Sequence, residues 1–309
     1  MDRRLAGIDI GTLTCRLLIA DVPAAGPLKE RCSERRILRL GEGVDRSKRL
    51  KPEAIERVLD CLREWRRLID GYQVHGKTAV ATSAVRDAEN RNEFLERVKA
   101  ETGFDVEVLT GEEEAQRTML GIRSGLPPDI ADVLAFDIGG GSTEFILARQ
   151  GQQLVVRSID LGVVRLSERV LHHDPPTREE MEQARAWVQK ATTQALAAMP
   201  PNTGSTFVGT AGTITSLAAM AQRLLAYEAA RIHNYRLSID TVADLERQLL
   251  ARTKAARAGM PGLEKNREDV IAAGAIILRT IMDTVGAQEC LVSDFGLREG
   301  VLIHLAMSQ

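Results

Sequence analysis

The sequence predicts a two-domain α/β protein whose halves open on the same β-hairpin, and three observations predict it. The chain has 309 residues, which at about 150 residues per domain suggests two. Short β-rich runs alternate with amphipathic helical stretches, the pattern of mixed sheets with crossover helices. Residues Asp9 to Ala20 also align without gaps on Asp137 to Ala148. Each copy is an apolar strand ending in Asp, a small-residue turn with hydroxyls, and a second apolar strand. A duplicated domain with a cleft between its halves accounts for this better than two unrelated hairpins.

In the first half, strands at Leu5–Ile10 and Cys15–Val22 flank the turn Gly11-Thr12-Leu13-Thr14. A third strand is predicted at Arg36–Leu40, closed by Gly41-Glu42-Gly43. Ile55, Val58, Leu59, Leu62 and Trp65 recur at helical spacing and predict a helix over Pro52–Ile69. Thr78–Ala81 reads as a buried strand, and Asn92–Ala100 as a helix stopped by Gly103. A strand at Val106–Leu109 meets a helix opening at Thr110. Gly125-Leu126-Pro127-Pro128 is the predicted linker. The linker divides the chain after residue 125.

The second half predicts strands at Val133–Asp137, Glu144–Ala148 and Leu154–Leu161. Helices follow at Val163–Leu171 and Arg178–Met199, the latter opened by a Thr177/Glu180 capping box. Thr206–Val208 and Glu289–Ser293 read as strands, and Ala211–Leu224, Arg267–Val285 and Leu297–Met307 as helices.

Composition narrows the function. Hydrophobic residues are 44% and charged residues 27%, which excludes wholesale disorder. A net charge of −2 argues against nucleic-acid or membrane-surface binding. No apolar run approaches the roughly 18 residues of a membrane span. Met1-Asp2-Arg3-Arg4 leads straight into a strand, with no leader-like stretch. The four cysteines lack metal-ligand spacing, and Cys15, Cys61 and Cys290 read as small buried hydrophobes. A cytoplasmic protein is expected.

The repeated turns point to phosphate. Glycines and hydroxyl residues in a tight turn expose backbone N–H groups to anionic oxygens. The candidates are Gly11, Thr12, Leu13, Thr14, Cys15 and Arg16 in one copy, and Gly139, Gly140, Gly141 and Ser142 in the other. A third small-residue loop, with Gly209, Thr210, Gly212 and Thr213, follows a strand and opens a helix, where anions are favoured. None of the three is a P-loop. Asp9 and Asp137 end their strands beside the turns, where a carboxylate can hold Mg²⁺ or accept turn amides. In repeat register Arg16 matches Glu144, which suggests complementary work on phosphate and on metal or water. Of Glu112, Glu113 and Glu114, the Thr110 capping box occupies Glu113, leaving Glu112 and Glu114 as acids beside a phosphate loop. Arg86 and Arg267 lie near predicted helix starts as candidate anion contacts. The basic clusters Lys29–Arg39, Arg46–Lys51 and Arg63–Arg67 read mostly as solvated faces. His172 and His173 read as a surface loop.

These turns resemble the phosphate-binding hairpins of the actin, Hsp70 and sugar-kinase superfamily. More narrowly, the chain resembles the exopolyphosphatase / guanosine pentaphosphate phosphohydrolase (Ppx/GppA) family. The likeness runs through Arg39–Val44, Ala81–Arg86, Thr110–Ala115, Asp137–Glu144, Gly162–Leu166, Gly209–Thr213, Arg267–Ile271 and Ser293–Gly300. It implies two ribonuclease H-like domains of the actin-like ATPase fold, with the last helix returning to the first domain, so that residues 1–125 plus 297–309 form one domain and 126–296 the other. It also implies Mg²⁺-dependent (or Mn²⁺-dependent) hydrolysis of the terminal phosphate of polyphosphate or the 5′ γ-phosphate of guanosine pentaphosphate. By motif position, the resemblance makes Glu114 the catalytic base and Glu144 the second catalytic acid, with Arg86 and Arg267 on phosphate or nucleotide. A homodimer is a further family expectation. Two departures stand out. The family's usual Gly-Ser-Asn-Ser turn has leucine here at position 13, which loses the asparagine contacts. The chain also ends at Gln309, so limited processivity on long polyphosphate is expected. An ATP-dependent kinase of the superfamily and a non-hydrolysing guanosine tetra- or pentaphosphate sensor are the alternatives.

Overall fold

The computed structural model describes residues 2–24, 26–199 and 204–308, so the chain ends Met1 and Gln309 lie outside the described residues. The chain forms two compact units, Met1–Gly125 with Phe295–Gln309, and Leu126–Asp294.

In the first unit β1 (Arg3–Ile10), β2 (Thr14–Val22) and β3 (Lys29–Ile37) form an antiparallel meander. Two helices, α1 (Val44–Ser47) and α2 (Pro52–Gly71), lead to β4 (Gly76–Ala81). The short α3 (Ser83–Arg86), α4 (Arg91–Thr102), β5 (Val106–Val108) and α5 (Gly111–Gly125) complete the run. The sheet order is β3-β2-β1-β4-β5, with β4 and β5 parallel to β1. Trp65, Leu62 and Val58 of α2 are buried in the core beside Ile8, Leu17 and Ile19 of the sheet, so the apolar stripe of α2 does the packing its spacing predicts.

The second unit repeats this plan. The meander is β6 (Val133–Ile138), β7 (Thr143–Ala148) and β8 (Val155–Ile159), followed by α6 (Val163–Val170) and α7 (Arg178–Leu196). Next come β9 (Thr206–Thr210), α8 (Ala211–Ala221), α9 (Ala229–Ile232), β10 (Arg236–Ser238), α10 (Ile239–Leu250) and α11 (Lys254–Arg257). The unit closes with α12 (Ile271–Val285) and β11 (Glu289–Val292). The order β10-β11-β9-β6-β7-β8 contains the same five-strand arrangement plus one added edge strand. A three-strand meander continued by two parallel strands is the ribonuclease H-like topology, so the expected fold class holds in both units. The final helix, α13 (Leu297–Met307), packs in the first unit against β1 through Leu302 and against β4 through Val301.

Several boundaries differ from the reading of the sequence, two of them by four residues or more. The third strand is Lys29–Ile37 rather than Arg36–Leu40, because a largely charged edge strand carries no apolar pattern to announce it. The apolar helix begins at Ile271 rather than Arg267; the Arg267 carbonyl accepts the Ile271 N–H, so Arg267 stands just outside the helix. The stretch from α9 to α11 was not predicted at all. The short α9, β10 and α11 lack the length to display a period, whereas the twelve-residue α10 carries one, in Val242, Leu245 and Leu249, that the reading missed. Among the described residues no helix is long and apolar enough to cross a membrane. Cys15, Cys61 and Cys290 are buried as expected, and burial pushes the Cys61 thiol up to about 12.

Candidate active site

The two repeated turns fold alike. The Gly11 N–H donates to the Thr14 carbonyl at 3.0 Å, and the Gly139 N–H donates to the Ser142 carbonyl at 3.0 Å. In each turn the carbonyls are tied down from behind. The Thr12 carbonyl accepts from Gly41 N, and the Leu13 carbonyl accepts from Leu38 N and Arg39 N. In the second turn the Gly139 carbonyl accepts from Val163 N, and the Gly140 carbonyl from Val164 N and Arg165 N. The Gly141 carbonyl accepts from Arg165 Nε at 2.8 Å. A planar trans peptide sends the next N–H the opposite way. The amides of Leu13 and Thr14, and of Gly140, Gly141 and Ser142, therefore face away from these anchors as an array of donors. Leu13 and Cys15 are buried to 5% and 0% exposure, so only their backbone can meet an anion.

In the first unit the turn is connected to an acid–base pair. The Thr12 and Ser83 hydroxyls are 2.8 Å apart, and Ser83 opens α3, which ends at Arg86. Arg86 Nη1 donates to the Leu109 carbonyl at 2.7 Å and to Glu114 Oε2 at 3.2 Å. Glu114 is buried at 7% exposure on the inward side of α5, whereas Glu112 is exposed. Glu113 closes the capping box with Thr110, whose N–H and hydroxyl both donate to it and hold its carboxyl below the usual range. The structure thus separates the three neighbouring acids, and only Glu114 meets an arginine of the predicted site.

In the second unit the register of β8, β7, β6 and β9 places Ser158, Glu144, Asp137 and Thr210 in one row. Residues directly opposite in register share a face of the sheet. Glu144 and Asp137 are both buried, and Ser158 Oγ donates to Glu144 Oε1 at 2.8 Å. Two buried carboxylates side by side repel, and a bound cation or a proton shared between them relieves that repulsion. Among the described residues no group of three or more His, Cys, Asp or Glu comes together. A cation here would draw on one or two carboxylates, with phosphate oxygens and water completing its shell, which is the donor set that suits Mg²⁺.

The third loop joins this group. Thr213 Oγ1 donates to the Ile138 carbonyl, and the Arg267 guanidinium lies so close to Gly212 that a Cβ there would meet its Cζ at 2.8 Å. Arg267 is buried and also pairs with Glu264. Ala211, between Thr210 and Gly212, has φ +72°, a left-handed conformation costly for alanine. In the first unit Asp9 lies directly opposite Arg16 across the hairpin.

Three residues of the assembly were unassigned in the sequence: Ser83, Ser158 and Arg165. Ser83 and Arg165 lie inside segments that carry the family resemblance. Ser158 had no local signal, because its partner comes from the neighbouring strand.

Residues 18–309 match the sequence profile described as the Ppx/GppA phosphatase family. Exopolyphosphatase 2 of Mycobacterium tuberculosis is 39% identical over 317 aligned residues, covering 98% of each chain. The crystal structure of the Aquifex aeolicus Ppx/GppA family member superposes with a TM-score of 0.83 at 35% identity, covering 99% of this chain and 98% of that one. An exopolyphosphatase from Cytophaga hutchinsonii gives 0.89 at 29% identity, with coverage of 99% and 98%. The repeated turns and the sheet order are thus those of a known group, and the chain belongs to the Ppx/GppA phosphatase family, hydrolases that act on phosphoanhydrides.

Proposed function

We propose that this protein is a Mg²⁺-dependent exophosphatase that removes the terminal phosphoryl group of inorganic polyphosphate, the 5′ γ-phosphate of guanosine pentaphosphate, or both. The observation that carries the reading is the duplicated turn whose Thr12, Leu13, Gly139, Gly140 and Gly141 carbonyls are held on one side, together with a buried Glu114 paired to Arg86. The turn amides donate to phosphate oxygens, and Arg86 and Arg267 add positive charge where negative charge accumulates. Glu114 takes the proton from a water whose oxygen bonds to the terminal phosphorus. The bridging P–O bond breaks, and the oxygen leaves with the shortened chain. Asp137 and Glu144 would hold Mg²⁺, which would supply positive charge to neutralise the phosphates; Asp9, at the matching place in the first turn, is a candidate for the same role. The name of the 39%-identical relative supports the polyphosphate half of this reading.

The test is phosphate release with Mg²⁺ from short polyphosphate, long polyphosphate, guanosine pentaphosphate and ATP, with Glu114→Gln in parallel. Release that falls by about 10²–10⁴ in the variant fits a general base. Transfer to an acceptor in preference to water would point to a kinase. Tight guanosine pentaphosphate binding without turnover would point to a sensor.

A further inference from the structure

The basic run after β3 is not used by the chemistry above, yet it is attached to the first turn. Gly41 and Arg39 bond to the turn carbonyls, so the segment begins at the back of the first turn. Its far end is clamped as well. The Glu89 N–H donates to the Lys48 carbonyl, and the Asn90 side-chain amide bonds both Leu50 N and Leu50 O, at 2.9 and 3.1 Å. The segment therefore runs as a fixed ribbon beside α3, whose own first residue bonds Thr12.

Residues 46–51 contain Arg46, Lys48, Arg49 and Lys51 and no acid, in a chain of net charge −2. Arg46, Lys48 and Arg49 are exposed. Lys51 is committed to Glu42 at 2.6 Å, but the other three enter no ion pair among the described residues. Lys48 also has φ +54°, closing α1 in a left-handed conformation where glycine is the ordinary choice, and Arg39 has the same φ. The ribbon thus keeps two long cationic side chains at positions whose backbone favours none.

We propose that Arg46, Lys48 and Arg49 form a distal anchoring surface for a linear phosphate polymer whose terminal group is bound at the Gly11–Thr14 turn. This rests on the polyphosphate reading above. Fixed cations beside a polyanion release its counterions on binding and so add affinity that falls with salt. No aromatic residue lies between Arg39 and Lys51 to stack a base, which favours a polymer of bare phosphates over a nucleic acid. The surface selects by length: a chain too short to reach it gains nothing.

The test is the triple variant Arg46→Ser/Lys48→Gly/Arg49→Ser, in which glycine suits the left-handed position, compared with wild type on tripolyphosphate and long-chain polyphosphate. For the long chain, KM rises about tenfold or more, and the slope of log(kcat/KM) against log salt becomes shallower by about two, at roughly 0.7 per lost contact. Turnover of tripolyphosphate is retained, which also reports an intact fold. Equal changes on both substrates, or no change on the long chain, overturn the proposal. So does single-stranded RNA that binds wild type and loses affinity in the variant while long-chain turnover is unchanged. If wild type releases no phosphate from any polyphosphate, the functional reading itself has failed. The surface is then judged by equilibrium binding of long polyphosphate: weaker binding in the variant sustains it, and equal binding overturns it.

Discussion

The hairpins around Gly11 and Gly139 share one backbone and differ in nearly everything attached to it. Both close with the same N–H to carbonyl bond, and both turn their carbonyls toward a backstop. In the first the backstop is an irregular segment leaving β3, and the residue opposite Asp9 is Arg16. In the second it is the first turn of α6, and the residue opposite Asp137 is Glu144. Opposite charges across a strand pair attract, whereas like charges repel. The first hairpin therefore sets opposite charges across its strands, while the second sets two acids side by side. A single duplicated backbone thus carries two different charge patterns.

The strongest way to break this comparison is Glu144→Arg, which gives the second hairpin the charge pattern of the first. Mg²⁺-dependent phosphate release is expected to fall by about three orders of magnitude, read with circular dichroism to show a folded protein. Retained activity would mean that the like-charged pair is incidental.

The backstops should differ in tolerance. A Cβ on Gly162 would meet backbone, with Gly141 N at 2.6 Å, whereas one on Gly41 would meet the Thr12 side chain. Gly162→Ala is expected to lose about 2–3 kcal/mol in denaturant unfolding, and Gly41→Ala about 1 kcal/mol or less as Thr12 rotates away from Ser83. The reverse ranking would contradict the assigned anchors.

Ser158→Ala sharpens the comparison more gently. It removes the 2.8 Å hydrogen bond to Glu144 and leaves the fold unchanged. A loss of about 1 kcal/mol in transition-state stabilisation, roughly fivefold in kcat/KM, is expected. Apparent Mg²⁺ affinity should weaken with it.

The smallest effect concerns the capping boxes, one in each unit. Burial alone would raise the Glu180 carboxyl, but His173 and the Thr177, His172 and His173 N–H groups outweigh it and bring it down to about 2 from 4.5. A depressed carboxyl stabilises the fold above its unfolded value and loses that contribution as pH falls through the folded value. The acid limb of unfolding between pH 4.5 and about 2 should flatten in Glu180→Gln. Glu113→Gln should flatten it less, since only Thr110 holds Glu113 by hydrogen bonds.

Much of this was legible in one dimension. The α2 stripe, the Gly103 stop and both capping boxes are local patterns, and each appears where its residues put it. The repeat was legible too, because an ungapped match needs no knowledge of the fold. What escaped was of two kinds. Elements such as β3 and β10 carry little apolar periodicity, the first because it is a charged edge and the second because it is three residues long. Without the resemblance, Glu112 and Glu114 also stayed undistinguished, since neighbouring acids look alike until the α5 packing buries one of them.

The duplicated turn, the candidate acids and the family resemblance needed only the order of residues, because turn chemistry, capping and repeat identity act over a few neighbours along the chain. The Arg86–Glu114 pair, the Ser158-Glu144-Asp137-Thr210 row and the seating of Arg267 on Gly212 needed the folded chain. Strand register and helix packing bring together groups that are far apart in sequence, and no local preference encodes such a distance.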